Sequence, residues 1–104
     1  MLLALLVATW TATVSSTSFL TGGGTAAETI PAADATYTTG VATTTGVLVA
    51  TPTPIVTLSG TAQTVVSGAG VGDNSAAWNP TIAIAVPAAA VTGLYTGTVT
   101  HSVA

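Results

Sequence analysis

Residues 77–86 read AWNPTIAIAV, and their side chains alternate. Trp78, Pro80, Ile82, Ile84 and Val86 fall on one face, with Asn79, Thr81, Ala83 and Ala85 on the other. A period of two with every large apolar group on the same side marks a strand laid on a core. Residues 94–103 carry a second such pattern, with Tyr95, Val99 and Val103 on one face and threonines between them. Residues 87–93 have the length of a return, and Ala88-Ala89-Ala90 can form a single helical turn within it. Two strands joined in this way predict an antiparallel pair and an all-β fold.

Toward the N-terminus, glycine and proline cut the chain into short segments with the spacing of an all-β domain. Residues 67–74 (SGAGVGDN) read as a loop, and residues 55–58 and 64–66 as two short strands. Thr51-Pro52-Thr53-Pro54 reads as a crossing between sheets, because its prolines have no N–H to donate to a ladder. Residues 41–50 predict a strand interrupted at Gly46. Residues 28–39 predict a strand-like stretch that Pro31 confines to an edge or a strand end. Thr21-Gly22-Gly23-Gly24 is a turn. Residues 3–17 predict one long strand, or two joined by a bend, since Thr9-Trp10-Thr11-Ala12-Thr13-Val14 alternates without a break. Met1–Ala8 looks like the apolar part of a signal peptide, yet no positive residue accompanies it. It is also well short of the roughly 20 residues that span a bilayer.

The expected architecture is one domain over residues 1–104, an immunoglobulin-like antiparallel β-sandwich. Its expected core is Trp10, Trp78, Ile82, Ile84, Val86, Tyr95 and Val99. Tyr95, close behind Gly93, stands where a corner tyrosine closes many sandwiches.

Composition narrows the function. In 104 residues there is no lysine, arginine or cysteine, only three acids (Glu28, Asp34, Asp73) and one histidine, His101. A chain that is 49% hydrophobic and carries a net charge of −3 is the opposite of a disordered one. Without cations it can release no counterions from a phosphate backbone, which excludes nucleic acid as a partner. The same lack argues against anionic lipid head groups. No disulfide or thiolate metal site is possible. The threonine, alanine and glycine bias points outside the cell, to a secreted or cell-surface protein. Sheet edges without lysine can pair with other chains, so self-association is a second expectation.

No catalytic pattern emerges. Gly68-Ala69-Gly70-Val71-Gly72-Asp73 lacks the lysine and the following helix of a phosphate loop. Asp73-Asn74 reads as a turn that bonds its own backbone, and three scattered acids are a poor supply of calcium ligands. His101 shares a strand face with Val99 and Val103 and reads as a partly buried strand histidine. No nucleophile and orienting group accompany it at a triad-like spacing. Trp10 and Trp78 are core candidates first and sugar platforms second. The reading is a non-enzymatic domain with no cofactor and no metal.

Two segments carry a family likeness. Trp10-Thr11-Ala12-Thr13-Val14, followed by Phe19-Leu20-Thr21-Gly22-Gly23, resembles the first tryptophan strand of WxL-type surface domains of Gram-positive bacteria. The closing segment Tyr95-Thr96-Gly97-Thr98-Val99-Thr100-His101-Ser102-Val103 is similar to their distal motif, Tyr-x-x-x-Leu-x-Trp-x-Leu. With Trp78-Asn79-Pro80-Thr81 and Val86-Pro87 ahead of it, the chain looks most like WxL-like proteins of actinobacteria. Ala12 stands where the first motif has leucine, and His101 where the distal motif has tryptophan. The resemblance implies an exported β-sandwich associated with the cell wall, or with another surface protein, through Trp10, Tyr95, Val99, His101 and Val103. It also implies further sequence ahead of Met1.

Overall fold

The computed structural model of the protein describes residues 8–104, so the start of the expected first strand lies outside the described residues. The strands are β1 (Ala8–Ser16), β2 (Phe19–Leu20), β3 (Thr29–Ile30), β4 (Ala35–Thr38), β5 (Ala42–Pro52), β6 (Ile55–Thr57), β7 (Gln63–Trp78), β8 (Thr81–Ile84) and β9 (Val99–Val103). Two short 3-10 turns, Ala26–Glu28 and Ala32–Asp34, flank β3. The fold is all-β, and every strand pairing is antiparallel. One sheet has the order β5-β7-β1-β9 and another the order β6-β4-β8, with β2 and β3 as a separate pair.

The two larger sheets share one long ribbon. Ala35 pairs with Ile84 and Thr38 with Thr81; beyond them Ala42 pairs with Trp78, Thr45 with Ser75, and Pro52 with Val66. Residues 35–52 and 66–84 therefore run antiparallel to each other through both sheets. The ribbon bends twice. One bend is at Gly40 and Asn79-Pro80, between the sheets. The other is at Gly46, where the register shifts and Gly72, Asp73 and Asn74 bulge opposite a single residue. Gly46 has φ 76°, and a Cβ there would overlap the Asp73 carbonyl, so only glycine fits.

Side chains from both sheets meet in one core. It contains Ala12 and Val14 of β1, Val65 and Val66 of β7, Ala35 and Tyr37 of β4, and Val56 and Leu58 from β6 and just beyond; Phe19 and Ile30 join from the small pair. Val65 and Val66 are neighbours, which a regular strand would place on opposite faces. The β1–β7 register skips Val65, so a bulge turns both valines inward.

Several expectations are corrected. Residues 77–86 and 94–103 do not pair with each other. β8 pairs with β4, and β9 pairs with β1. Both pairings are long-range: β1 and the residues after it offer the C-terminal segment an edge, with backbone bonds from Thr11 to Ala104, Thr17 to Thr98 and Leu20 to Thr96. Ile82, Ile84 and Val86 are not core: they are 38%, 43% and 65% exposed. Ile82 and Ile84 lie directly across from the buried Tyr37 and Ala35, hence on the inner face, but β8 is an edge strand and the facing sheet does not cover it. Trp10, Trp78, Tyr95 and Val99 are half-buried residues packed against the core. The expected loop at residues 67–74 belongs to β7, and its turn chemistry is confined to the bulge. Pro31 sits at a strand end, as expected, directly after β3, while the rest of the 28–39 stretch is not one strand: a 3-10 turn separates β3 from β4, which is central in its sheet. Ala88–Ala90 form no helix; a turn closes from the Ala90 N–H to the Pro87 carbonyl at 3.0 Å.

Gly46 interrupts the β5 ladder as expected, at the register shift. The crossing between sheets is shorter than expected: Thr51 and Pro52 remain in β5, paired with Ser67 and Val66, and the chain crosses at Thr53-Pro54. Thr53 N–H donates to the Val65 carbonyl at 2.7 Å as it leaves.

Leu58 is fully buried and Ile84 is not, which separates the two accounts of the core. Leu58→Ala is expected to cost about 2–5 kcal/mol in denaturant unfolding, and Ile84→Ala less than about 1 kcal/mol. Equal costs at the two sites would contradict this assignment.

Candidate functional site

At one end of the sandwich three aromatic residues and His101 converge. Trp10 faces inward from β1, and its indole lies flat over Gly68, the residue opposite it on β7. A Cβ at Gly68 would enter that ring, so the glycine is what lets the tryptophan settle. The bend at Gly46 brings the far end of β7 back toward β1. Trp78 thereby stacks on Trp10, with ring centres 6.4 Å apart and planes within 8°. This is an offset-stacked geometry of the favourable kind.

Beneath the stacked pair lies Tyr37, fully buried on β4. Trp78 Nε1–H donates to the Tyr37 hydroxyl oxygen at 2.9 Å, and His101 Nε2 sits 3.1 Å from the same oxygen. Trp78 supplies one hydrogen to the phenol oxygen, and the phenol's own hydrogen can go to His101 Nε2 when the imidazole carries its proton on Nδ1. A buried hydroxyl without partners would be costly; here both of its roles are filled. The relay ties β4, β7 and β9 together across both sheets.

The surface beside these rings is a groove of about 400 Å³ lined by Trp10, Asn74, Ser75, Ala76, Trp78 and Val103. Asn74 is positioned by the bulge, its side-chain amide donating to the Gly72 carbonyl at 3.0 Å. None of the six lining residues carries a charge. The groove thus offers aromatic faces, an amide and a hydroxyl, which suits an uncharged ligand.

The five residues singled out by the resemblance divide into two groups. β9 pairs with β1 so that Val103 lies opposite Ala12, His101 opposite Val14, and Val99 opposite Ser16. The two motif segments are thus neighbouring strands. Trp10 and Val103 line the groove, His101 meets Tyr37, and Val99 packs against the core. His101 is exposed rather than partly buried, although one ring nitrogen meets Tyr37. Tyr95 lies elsewhere, ahead of β9 and outside the groove lining. Its hydroxyl bonds the carbonyl of Val91 at 2.6 Å and of Ala27 at 3.3 Å. That is the expected corner role, closing the opposite end. Asn74 is expected from the sequence as a turn residue rather than a groove residue, and neither Tyr37 nor Ser75 is expected at such a site. The alternation in Ala35-Thr36-Tyr37-Thr38 was the available signal for Tyr37.

Charges are few. Glu28 is fixed by the Thr25 hydroxyl at 2.7 Å and by the N–H groups of Thr25 (3.3 Å) and Gly23 (3.1 Å). The Thr25 side chain, followed by these two backbone donors, holds its carboxyl below the usual value of 4.5. Among the described residues no three of His, Cys, Asp and Glu gather where they could hold a metal, and no helix is long and apolar enough to cross a membrane.

Compared with known proteins, the chain matches no family model, no curated protein and no solved structure.

Two measurements test this geometry. Tyr37→Phe leaves the Trp78 N–H without its acceptor and is expected to cost about 1–3 kcal/mol, with a changed tryptophan emission spectrum. An unchanged spectrum and unchanged stability would refute the relay. Because the Glu28 carboxyl is held low in the folded state, its contribution is present above pH 4.5 and is lost as the pH falls through the folded value. Urea midpoints measured down that range are expected to fall less steeply in Glu28→Gln than in the parent chain.

Proposed function

We propose that this protein is a non-catalytic, WxL-like β-sandwich domain of the bacterial cell surface. In this reading it holds a cell-wall polymer, or an extended segment of another surface protein, in the groove beside Trp10 and Trp78. The observation that carries the proposal is the groove itself. It is uncharged, floored by two stacked indoles, and rimmed by Asn74, Ser75 and Val103. Its volume lies within the range of ordinary ligand pockets. Both likeness segments contribute to it, Trp10 from β1 and Val103 from β9, and their pairing is the ladder that keeps it open.

The role of His101 also favours binding over catalysis. Its Nε2 meets a buried phenol held in turn by Trp78, an arrangement that fixes the ring as a strut. In a serine- or threonine-based mechanism a ring nitrogen faces the nucleophile's hydroxyl, whereas the partner that Nε2 meets here is the Tyr37 phenol.

Retention of the full chain on purified peptidoglycan, followed by sedimentation of the insoluble polymer, tests the reading. The parent chain is expected to be retained. Trp78→Ala is expected to lose about 2 kcal/mol of affinity, roughly thirtyfold. Val103→Glu changes an exposed residue at the groove's rim and is expected to weaken retention without altering the circular dichroism spectrum. A parent chain that stays in the supernatant overturns the wall-polymer form of the proposal. Retention unaffected by either substitution overturns the groove.

A further inference from the structure

We propose that the outer edge of β5 is a homodimer interface, in which Val47–Thr51 pairs antiparallel with the same segment of a second copy about a two-fold axis at Val49. Among the described residues, nothing pairs with that edge. Among the described residues it is the edge strand of greatest length: β5 has 11 residues, against 3 in β6, 4 in β8 and 5 in β9.

The backbone shows which groups the edge offers. Thr11 and Ala104 exchange two hydrogen bonds, at 2.9 and 3.0 Å, so Thr11 faces β9. Successive residues alternate, so Trp10 and Ala12 face β7, and their partners Gly68 and Val66 face β1. The intervening Ser67, Ala69 and Val71 then face β5, where Thr51, Val49 and Val47 lie opposite them. Leu48 and Ala50 are left with both N–H and C=O directed outward. Pro52 also points outward, and having no N–H it loses nothing there.

A second copy completes this pattern in one register. With Val49 opposite Val49 of the other copy, Leu48 meets Ala50 and Ala50 meets Leu48, and each pair exchanges two hydrogen bonds. All outward N–H groups between Val47 and Pro52 find acceptors, and Pro52 falls opposite Gly46. Val47 and Val49, exposed at 69% and 68% with Val71 and Ala69 beside them on the same face, form a continuous apolar stripe across the axis. Two copies also meet without charge repulsion, since β5 contains no ionisable residue and the whole chain has no lysine to guard an edge. A different protein could add a strand here, but only a self-complementary partner meets every one of these requirements with its own sequence. The contact of about six residues per copy is far smaller than the roughly 20–30 residues a side of a standard interface, so the dimer is weak, reversible and concentration-dependent, held mainly by its backbone ladder.

The chain has no cysteine, so a single introduced one reports the register directly. Val49 would form a non-hydrogen-bonded pair across the axis, with a Cα separation of about 4.5 Å that suits a disulfide. Val49→Cys in the full chain, treated with oxidised glutathione, is expected to give a covalent dimer of twice the 10.0 kDa chain mass. Thr57→Cys and Thr100→Cys, on the edge strands β6 and β9, are expected to stay monomeric. In sedimentation the parent chain is expected to shift from monomer to dimer with concentration. Val49→Lys is expected to remain monomeric with an unchanged circular dichroism spectrum. Cross-linking at Thr57 or Thr100 in preference to Val49, or a parent chain monomeric into the millimolar range, would overturn the proposal.

Discussion

The structure depends on a ribbon that belongs to two sheets at once. Residues 35–52 and 66–84 stay paired while the ribbon bends out of the β6-β4-β8 sheet and into the β5-β7-β1-β9 sheet. Within the larger sheet the ribbon bends again, which needs a place where one strand can shorten relative to the other, and Gly46 opposite the Gly72–Asn74 bulge is that place. Its left-handed backbone and the closeness of the Asp73 carbonyl leave no room for a side chain. Because the ribbon turns there, Trp78 comes back over Trp10, and the groove is a consequence of the corner.

The same geometry explains how so few aromatic residues close the domain. Tyr37 from one sheet receives Trp78 from the ribbon and reaches His101 on β9, so the two sheets are joined by a short polar chain as well as by apolar packing. At the far end Tyr95 does comparable work, its hydroxyl on the Val91 and Ala27 carbonyls. Between them lie Val14, Leu58, Val65 and Val66, all fully buried. With no disulfide possible and very few charges, this arrangement must derive its stability from burial and backbone pairing.

What the sequence made legible follows from local chemistry. Alternation located most of the strands, glycine placed the break in β5, proline placed the crossing after it, and Tyr95 announced its corner by its position behind Gly93. Partner choice was not legible. Residues 77–86 and 94–103 each carry a strand pattern, and short separation suggested that they pair. The period of two says which side of a strand is apolar but not which strand lies beside it. Ile82 and Ile84 show the cost: they do face inward, yet at an edge where no opposing sheet covers them. The loop reading of residues 67–74 failed for a related reason. Glycines there let a strand bulge and accept the Trp10 ring, a long-range demand that local turn propensity does not register. Of the groove, Trp10, Trp78 and Val103 could be found in the sequence. Asn74 and Ser75 reach it only through the fold of the ribbon.

Backbone proton contacts by NMR test the account most directly, because non-hydrogen-bonded antiparallel pairs bring their Cα atoms to about 4.5 Å. Strong Hα–Hα contacts are predicted for Tyr37 with Ile82 and for Val14 with His101. Contacts instead between residues 77–86 and 94–103 would mean that the two segments form a local hairpin, and the shared ribbon, the groove and the free β5 edge would all be wrong.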